Sequence, residues 1–221
     1  MSAAALAIDD PRFSWDVYFG GDIDVLDYVV GRTSTIIDYE AVLGSEFRAF
    51  DPNQGNYILE VSSSYRIGKT EVAGMFHHVS RHLSDRPKRY AIAWNILGAR
   101  VLRHATFAKV SIDVDADAGW ATQHANVDYA WTANADLALR RQVRPRVGLF
   151  ARGSGHLIGV HPGPPTSRHT QSGGEVEAGV RLDGKAGGAE FFAGFENRID
   201  ADALDFTAQR WFMVGFRLLR R

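Results

Sequence analysis

Tyr57-Ile58-Leu59-Glu60-Val61-Ser62-Ser63-Ser64-Tyr65-Arg66, continued through Ile67-Gly68-Lys69 into Val72-Ala73-Gly74-Met75-Phe76, is the stretch that decides the fold. Successive side chains of an extended chain point to opposite faces. Tyr57, Leu59, Val61, Ser63 and Tyr65 therefore share one face, and Ile58, Glu60, Ser62, Ser64 and Arg66 the other. The next run repeats the pattern, with Val72, Gly74 and Phe76 against Glu71, Ala73 and Met75. A glycine-centred break between two such runs predicts a tight antiparallel hairpin.

The same period continues along the chain. Ala108, Val110, Ile112 and Val114 alternate with Lys109, Ser111, Asp113 and Asp115, and Tyr129, Trp131, Ala133 and Ala135 with Asp128, Thr132, Asn134 and Asp136. Val176, Ala178, Val180 and Leu182 oppose Glu175, Glu177 and Arg181, and Phe212, Val214, Phe216 and Leu218 oppose Trp211 and Arg217. No long stretch holds a helical period, and none approaches the roughly 20 apolar residues of a membrane helix. The pattern predicts an all-β protein, an antiparallel up-and-down transmembrane β-barrel.

The spacing of the breaks supports that architecture. Short turns are expected at Gly31-Arg32-Thr33, Ile67-Gly68-Lys69, Arg103-His104, Arg141-Gln142 and Asp183-Gly184-Lys185, with longer polar loops between them at 51–56, 82–88, 117–123, 153–173 and 200–205. Short turns on one rim and long loops on the other mark an outer-membrane barrel, the short side being periplasmic. About ten strands run from Thr33 to Leu219. Residues 13–30, broken at Gly20-Gly21-Asp22, read as two more and give 12; a ten-strand barrel would leave them outside the wall. Residues 1–12 are expected to be a disordered N-terminus or a leader remnant, since Ala5-Leu6-Ala7 has the small-residue spacing of a leader cleavage site. Residues 13–221 are expected to form a single barrel domain.

Lys and Arg (25) nearly balance Asp and Glu (26), which leaves no basic footprint for nucleic acid. The chain has no cysteine, so disulfides and thiolate metal sites are excluded, and no cofactor is expected. In a membrane the apolar rows face lipid, which puts Val110, Ile112, Tyr129, Trp131, Val180, Phe212 and Val214 outside. Glu40, Glu60, Glu71, Lys109, Asp113, Asp128, Arg144, Arg146, Arg152, Glu177, Arg181, Glu196 and Arg217 then line a lumen of mixed charge. Aromatics near strand ends, among them Tyr39, Tyr57, Tyr65 and Phe76, fit the girdles of such a barrel. A soluble lipocalin-like barrel, with the two faces exchanged, is the alternative.

Two stretches resemble known proteins. The end, Arg210-Trp211-Phe212-Met213-Val214-Gly215-Phe216-Arg217-Leu218-Leu219, resembles the terminal strand by which the outer-membrane assembly machinery recognises its clients, although Arg220-Arg221 stand where an aromatic is usual. Phe76-His77-His78-Val79-Ser80-Arg81-His82-Leu83-Ser84-Asp85 is similar to a motif of bacterial outer-membrane β-barrels of unassigned activity. Within it, His78-Val79-Ser80 resembles the His-x-Ser of lipid A 3-O-deacylases, barrels that hydrolyse lipid at their outer wall. That resemblance implies Ser80 as nucleophile and His78 as base, with Asp85 the nearest acid, because residues 89–102 contain no carboxylate. His78 and His82 are about 13 Å apart along a strand, too far to share a metal, and His77 points into the lumen.

Two function classes follow. The first is a bacterial outer-membrane barrel acting as a small channel, or as a plugged structural or binding barrel, for a polar solute. The second is a lipid-modifying hydrolase built on Ser80 and His78. Membrane lipid and lipopolysaccharide are the expected surroundings in both.

Overall fold

The computed structural model describes residues 1–83, 91–161 and 168–220. Twelve strands form one closed antiparallel barrel. They are β1 (Ser2–Ala7), β2 (Trp15–Tyr28), β3 (Gly31–Gly44), β4 (Asp51–Ile67), β5 (Thr70–His82), β6 (Ile92–Phe107), β7 (Val110–Ala125), β8 (Tyr129–Arg144), β9 (Val147–Val160), β10 (Gln171–Asp183), β11 (Gly187–Arg198) and β12 (Gln209–Arg220). Each strand pairs with its neighbours in the chain, and β1 closes the wall by pairing with β12 from Ser2↔Arg217 to Ala7↔Phe212.

The number of strands agrees with the expected 12, but the first two are drawn differently. β2 runs unbroken through Gly20-Gly21-Asp22, which pair with Asp38, Ile37 and Ile36. Gly20 is needed there for close packing: a Cβ on it would sit 1.8 Å from Asp38 Oδ1. The other strand, β1, comes from the stretch expected to be disordered. Its alanines have weak β-propensity, so the neighbouring strands hold it in place: Ala4 and Leu6 are buried in a cluster with Phe192, Trp211 and Met213.

The short turns fall at 29–30, 68–69, 108–109, 145–146 and 184–186. Arg103-His104 and Arg141-Gln142 therefore lie inside β6 and β8, a few residues before the real turns. Those turns carry left-handed backbone on ordinary residues, with φ of 48° at Ala108, 67° at Lys109 and 66° at Arg146. Hairpin turns of this kind usually use Asn-Gly or Asp-Gly, and without those residues the sequence does not mark them. Gly68, at φ 62°, does mark its turn. Residues 51–56 and 117–123 belong to β4 and β7, and 153–160 to β9, rather than to loops. Their polarity reflects a polar lumen: Asn53, Gln54 and Asn56 are all buried.

The outer wall is apolar. Val180, Phe212 and Val214 are 38%, 67% and 66% exposed, in company with Leu97, Trp120, Leu149 and Val176. Tyr129 is the exception to the expected sidedness. The β8–β9 register slips between Tyr129 and Trp131, so Tyr129 turns inward and is buried while Trp131 stays outside over Gly159. A slip of one residue exchanges the faces.

The lumen is cross-braced by charge. Glu190, fully buried, holds Arg152 and Arg217 at 3.0 Å each and Arg181 at 3.4 Å, and Glu177 takes Arg217 at 2.8 Å. Arg100 joins Glu60 at 2.7 Å and also Asp115, and Arg198 joins Glu196 at 2.6 Å, Glu40 at 3.0 Å and also Asp16. Glu71 pairs with Arg32 and Asp113 with Arg140. Lys109 and Arg146, expected in the lumen, sit in the short turns, and Arg144 is exposed at the end of β8. Asp128 lies at the long-loop rim against Arg168.

Candidate functional site

Two places on the barrel concentrate polar side chains. The first is a cavity of about 610 Å³ in the lumen, bordered by Glu40, Glu60, His77, Trp94, Tyr129 and Arg198 among others. His77 Nδ1 lies 3.2 Å from Glu60 Oε2 in its wall. Toward the short turns the cavity meets the Glu177 and Glu190 ion pairs. Toward the long loops it meets the segment between β11 and β12, of which residues 200–203 are folded inward. Asp200 and Ala201 are 2% and 0% exposed. Gln54 Nε2 donates to the Ala201 carbonyl at 2.9 Å, Arg81 to the Asp200 carbonyl at 3.1 Å, and Tyr129 Oη to Asp200 Oδ2 at 2.7 Å. Arg168 bridges Asp128 and Asp200, at 2.6 Å to each. Burial disfavours its charge, but hydrogen bonds to Asp128 and Asp200 outweigh that and raise its pKa above the usual arginine range. Arg12 reaches Asp202 at 3.3 Å from the loop before β2.

The second place is on the outer wall. β5 turns His78, Ser80 and His82 outward on one face, in step with Val72 and Phe76. Cross-strand register sets His78 opposite Asn95 of β6, and Asn95 opposite Gln123 of β7. A bulge between Asn95 and Ile96 produces the second match: Thr122 is the extra residue, its Oγ1 donates to the Asn95 carbonyl, and Gln123 faces Asn95. Asn95 Nδ2 then donates to Gln123 Oε1 at 3.0 Å, and His78 Nδ1 meets Asn95 Oδ1 at 2.6 Å. An amide oxygen only accepts, so Nδ1 of His78 carries the proton in this arrangement and the ring orientation is fixed.

Ser80 is bonded on its other side. Its Oγ lies 3.1 Å from Nε2 of His82, and the Tyr57 ring meets the His82 ring edge-on with centroids 5.1 Å apart. Tyr57 also packs on Tyr39 at 4.9 Å, so this row lies at the aromatic level near the long-loop rim. A hydroxyl within hydrogen-bond reach of an imidazole is the minimal arrangement for activating a serine.

The sequence-expected trio is therefore only partly assembled. Ser80 and His78 share the outward face, but the imidazole that touches Ser80 is His82, and His78 is held by Asn95. Asp85 lies outside the described residues. Sequence reasoning missed His82, Asn95 and Gln123. The available signal was parity: His82 is two residues beyond Ser80, and Asn95 is a polar residue on an otherwise apolar outward row, two before Leu97. Gln123 was hidden by being read as loop.

No protein-family model and no curated protein matches the chain. Among solved structures it is similar to LpxR from Salmonella typhimurium, with a TM-score of 0.56 and 8% sequence identity, over 99% of this chain and 98% of that one. The likeness is one of fold, and it extends over the whole barrel.

Proposed function

We propose that this chain is an integral outer-membrane barrel whose outer wall hydrolyses acyl esters of membrane lipid, lipid A being the substrate class implied by the His-x-Ser resemblance. The observation that carries this reading is the 3.1 Å contact between Ser80 Oγ and His82 Nε2 on a face that otherwise meets lipid. The apolar outer wall, the uneven rims and the fold shared with LpxR support the membrane placement, with the short turns toward the periplasm. Membrane insertion through the outer-membrane assembly machinery fits the alternating terminal strand β12.

In this reading Ser80 Oγ attacks the ester carbonyl carbon while His82 Nε2 takes its proton. The bond to the sugar oxygen breaks, and His82 returns the proton to that leaving oxygen. Water, deprotonated by His82, then attacks the acyl-serine carbonyl, and His82 returns that proton to Ser80 Oγ as the fatty acid leaves. His78 takes no part in these transfers: its Nδ1 is held by Asn95, and it touches neither Ser80 nor His82. A channel fits less well: the ion pairs around Glu190 stand at one end of the lumen and the buried residues 200–203 at the other.

The test is release of fatty acid from purified lipid A by the detergent-folded full chain, followed by mass spectrometry. Wild type should release it, and Ser80→Ala should lower the rate about 10²–10⁴-fold with the folded β signal unchanged. Absence of release by wild type, or equal release by the variant, would overturn the hydrolase.

A further inference from the structure

The short-turn rim carries its charge unevenly. In the sector from β2 to β5, Arg32 is paired with Asp24 and Glu71, and Arg66 with Asp27 and Glu71. In the sector from β6 to β11, six exposed cations line the turns and the strand ends beside them, Arg103, Lys109, Arg141, Arg144, Arg146 and Lys185, against the single exposed Lys69 in the turns of the other sector. None of the six forms an ion pair or donates a side-chain hydrogen bond among the described residues. The nearby carboxylates are already engaged, Asp113 with Arg140 and His104, and Asp183 with Arg181.

The placement of these cations selects a partner. Arg103 pairs across the wall with Val114, and Arg141 with Leu149, on the outward apolar face near the short turns. Their guanidinium groups thus stand at the foot of the lipid-facing belt. Arg146 and Lys185 border a recess of about 330 Å³ between the β8–β9 and β10–β11 turns, completed by Gln142, Asp183 and Gly184. A guanidinium grips a phosphate through two parallel hydrogen bonds, and clustered cations at a bilayer surface draw anionic headgroups.

We infer that this sector binds the phosphate headgroups of anionic phospholipid in the leaflet at the short-turn rim. The inference rests on the membrane placement proposed above and is independent of ester hydrolysis. It gives the barrel one side richer in anionic lipid and so a preferred setting in the bilayer plane.

The full chain is reconstituted into nanodiscs of phosphatidylcholine with a minority of phosphatidylglycerol, and lipid retained after mild extraction is counted by native mass spectrometry. Wild type should keep phosphatidylglycerol several-fold above its share of the bilayer. Lys109→Gln/Arg141→Gln/Arg146→Gln/Lys185→Gln should abolish that enrichment, and Arg66→Gln/Lys69→Gln in the other sector should leave it intact. Equal enrichment in wild type and the quadruple variant, both inserted, would overturn the inference alone. Failure of wild type to insert into phosphatidylcholine nanodiscs would overturn the membrane placement and the inference with it.

Discussion

Near the long-loop rim the barrel has two unlike outer walls. On β9 to β12 the outward face carries Leu157, Val176, Phe195 and Phe212, the last two packed edge-to-face at 5.2 Å, with one polar pair, Arg210 and Asn197 at 3.1 Å, at the strand ends. On β5 to β7 the corresponding level holds His78, Ser80, His82, Asn95 and Gln123, joined by hydrogen bonds. Polar groups facing lipid are costly unless they satisfy one another. The first wall is apolar up to its single rim pair; the second is polar over three adjacent strands, with its hydrogen bonds made within that polar patch. The difference teaches where to look for chemistry: in the break of the outer pattern, since the lumen arginines Arg100, Arg152, Arg198 and Arg217 are engaged in cross-bracing.

The largest effect expected from this contrast is kinetic. His82→Ala should lower acyl release about 10²–10⁴-fold, the range of a lost general base, and Asn95→Ala should lower it less, because it frees a ring that does not touch Ser80. Equal losses would undo the distinction between His82 and His78. Next comes the lumen. Glu190→Ala removes the carboxylate shared by Arg152, Arg181 and Arg217 and leaves them on Glu177 and Asp183, so it should cost about 1–3 kcal/mol, read from urea unfolding in detergent.

The two walls can then be compared through one substitution. Val214→Arg at mid-wall should destabilise by about 2–4 kcal/mol, while His78→Arg, nearer the interface, should cost about 0–1 kcal/mol. Equal costs would mean that the two walls see the same medium. The smallest effect concerns the inward loop. Asp200 has φ of 49°, which Asn tolerates, so Asp200→Asn should keep the fold but weaken the bond to Arg168. Amide exchange within 199–208 should quicken about tenfold, with acyl release unchanged.

The barrel was legible because its signal is periodic and repeated. Ten strands, the hairpin at Gly68 and the inward placement of residues such as Glu60, Glu177 and Arg217 follow from alternation alone. What escaped was set by neighbours rather than by local sequence. β1 is alanine-rich and is held only by β2 and β12. The turn at Ala108-Lys109 has no turn residue, and that at Pro145-Arg146 has only its proline. Tyr129 faces inward because of a register slip that periodicity cannot foresee. The site was half legible: alternation put His78 and Ser80 on one face, but the pairing of Ser80 with His82 depends on rotamers, and that of His78 with Asn95 on cross-strand register.

The central claim is that Ser80 is an activated nucleophile on the lipid-facing wall, and covalent trapping tests it most directly. The detergent-folded chain is treated with a long-chain fluorophosphonate, digested and mapped by mass spectrometry. The account predicts one phosphonyl adduct on Ser80, lost in Ser80→Ala and strongly slowed in His82→Ala. No adduct on the folded wild-type chain, or an adduct on another serine with Ser80 unmodified, would contradict it.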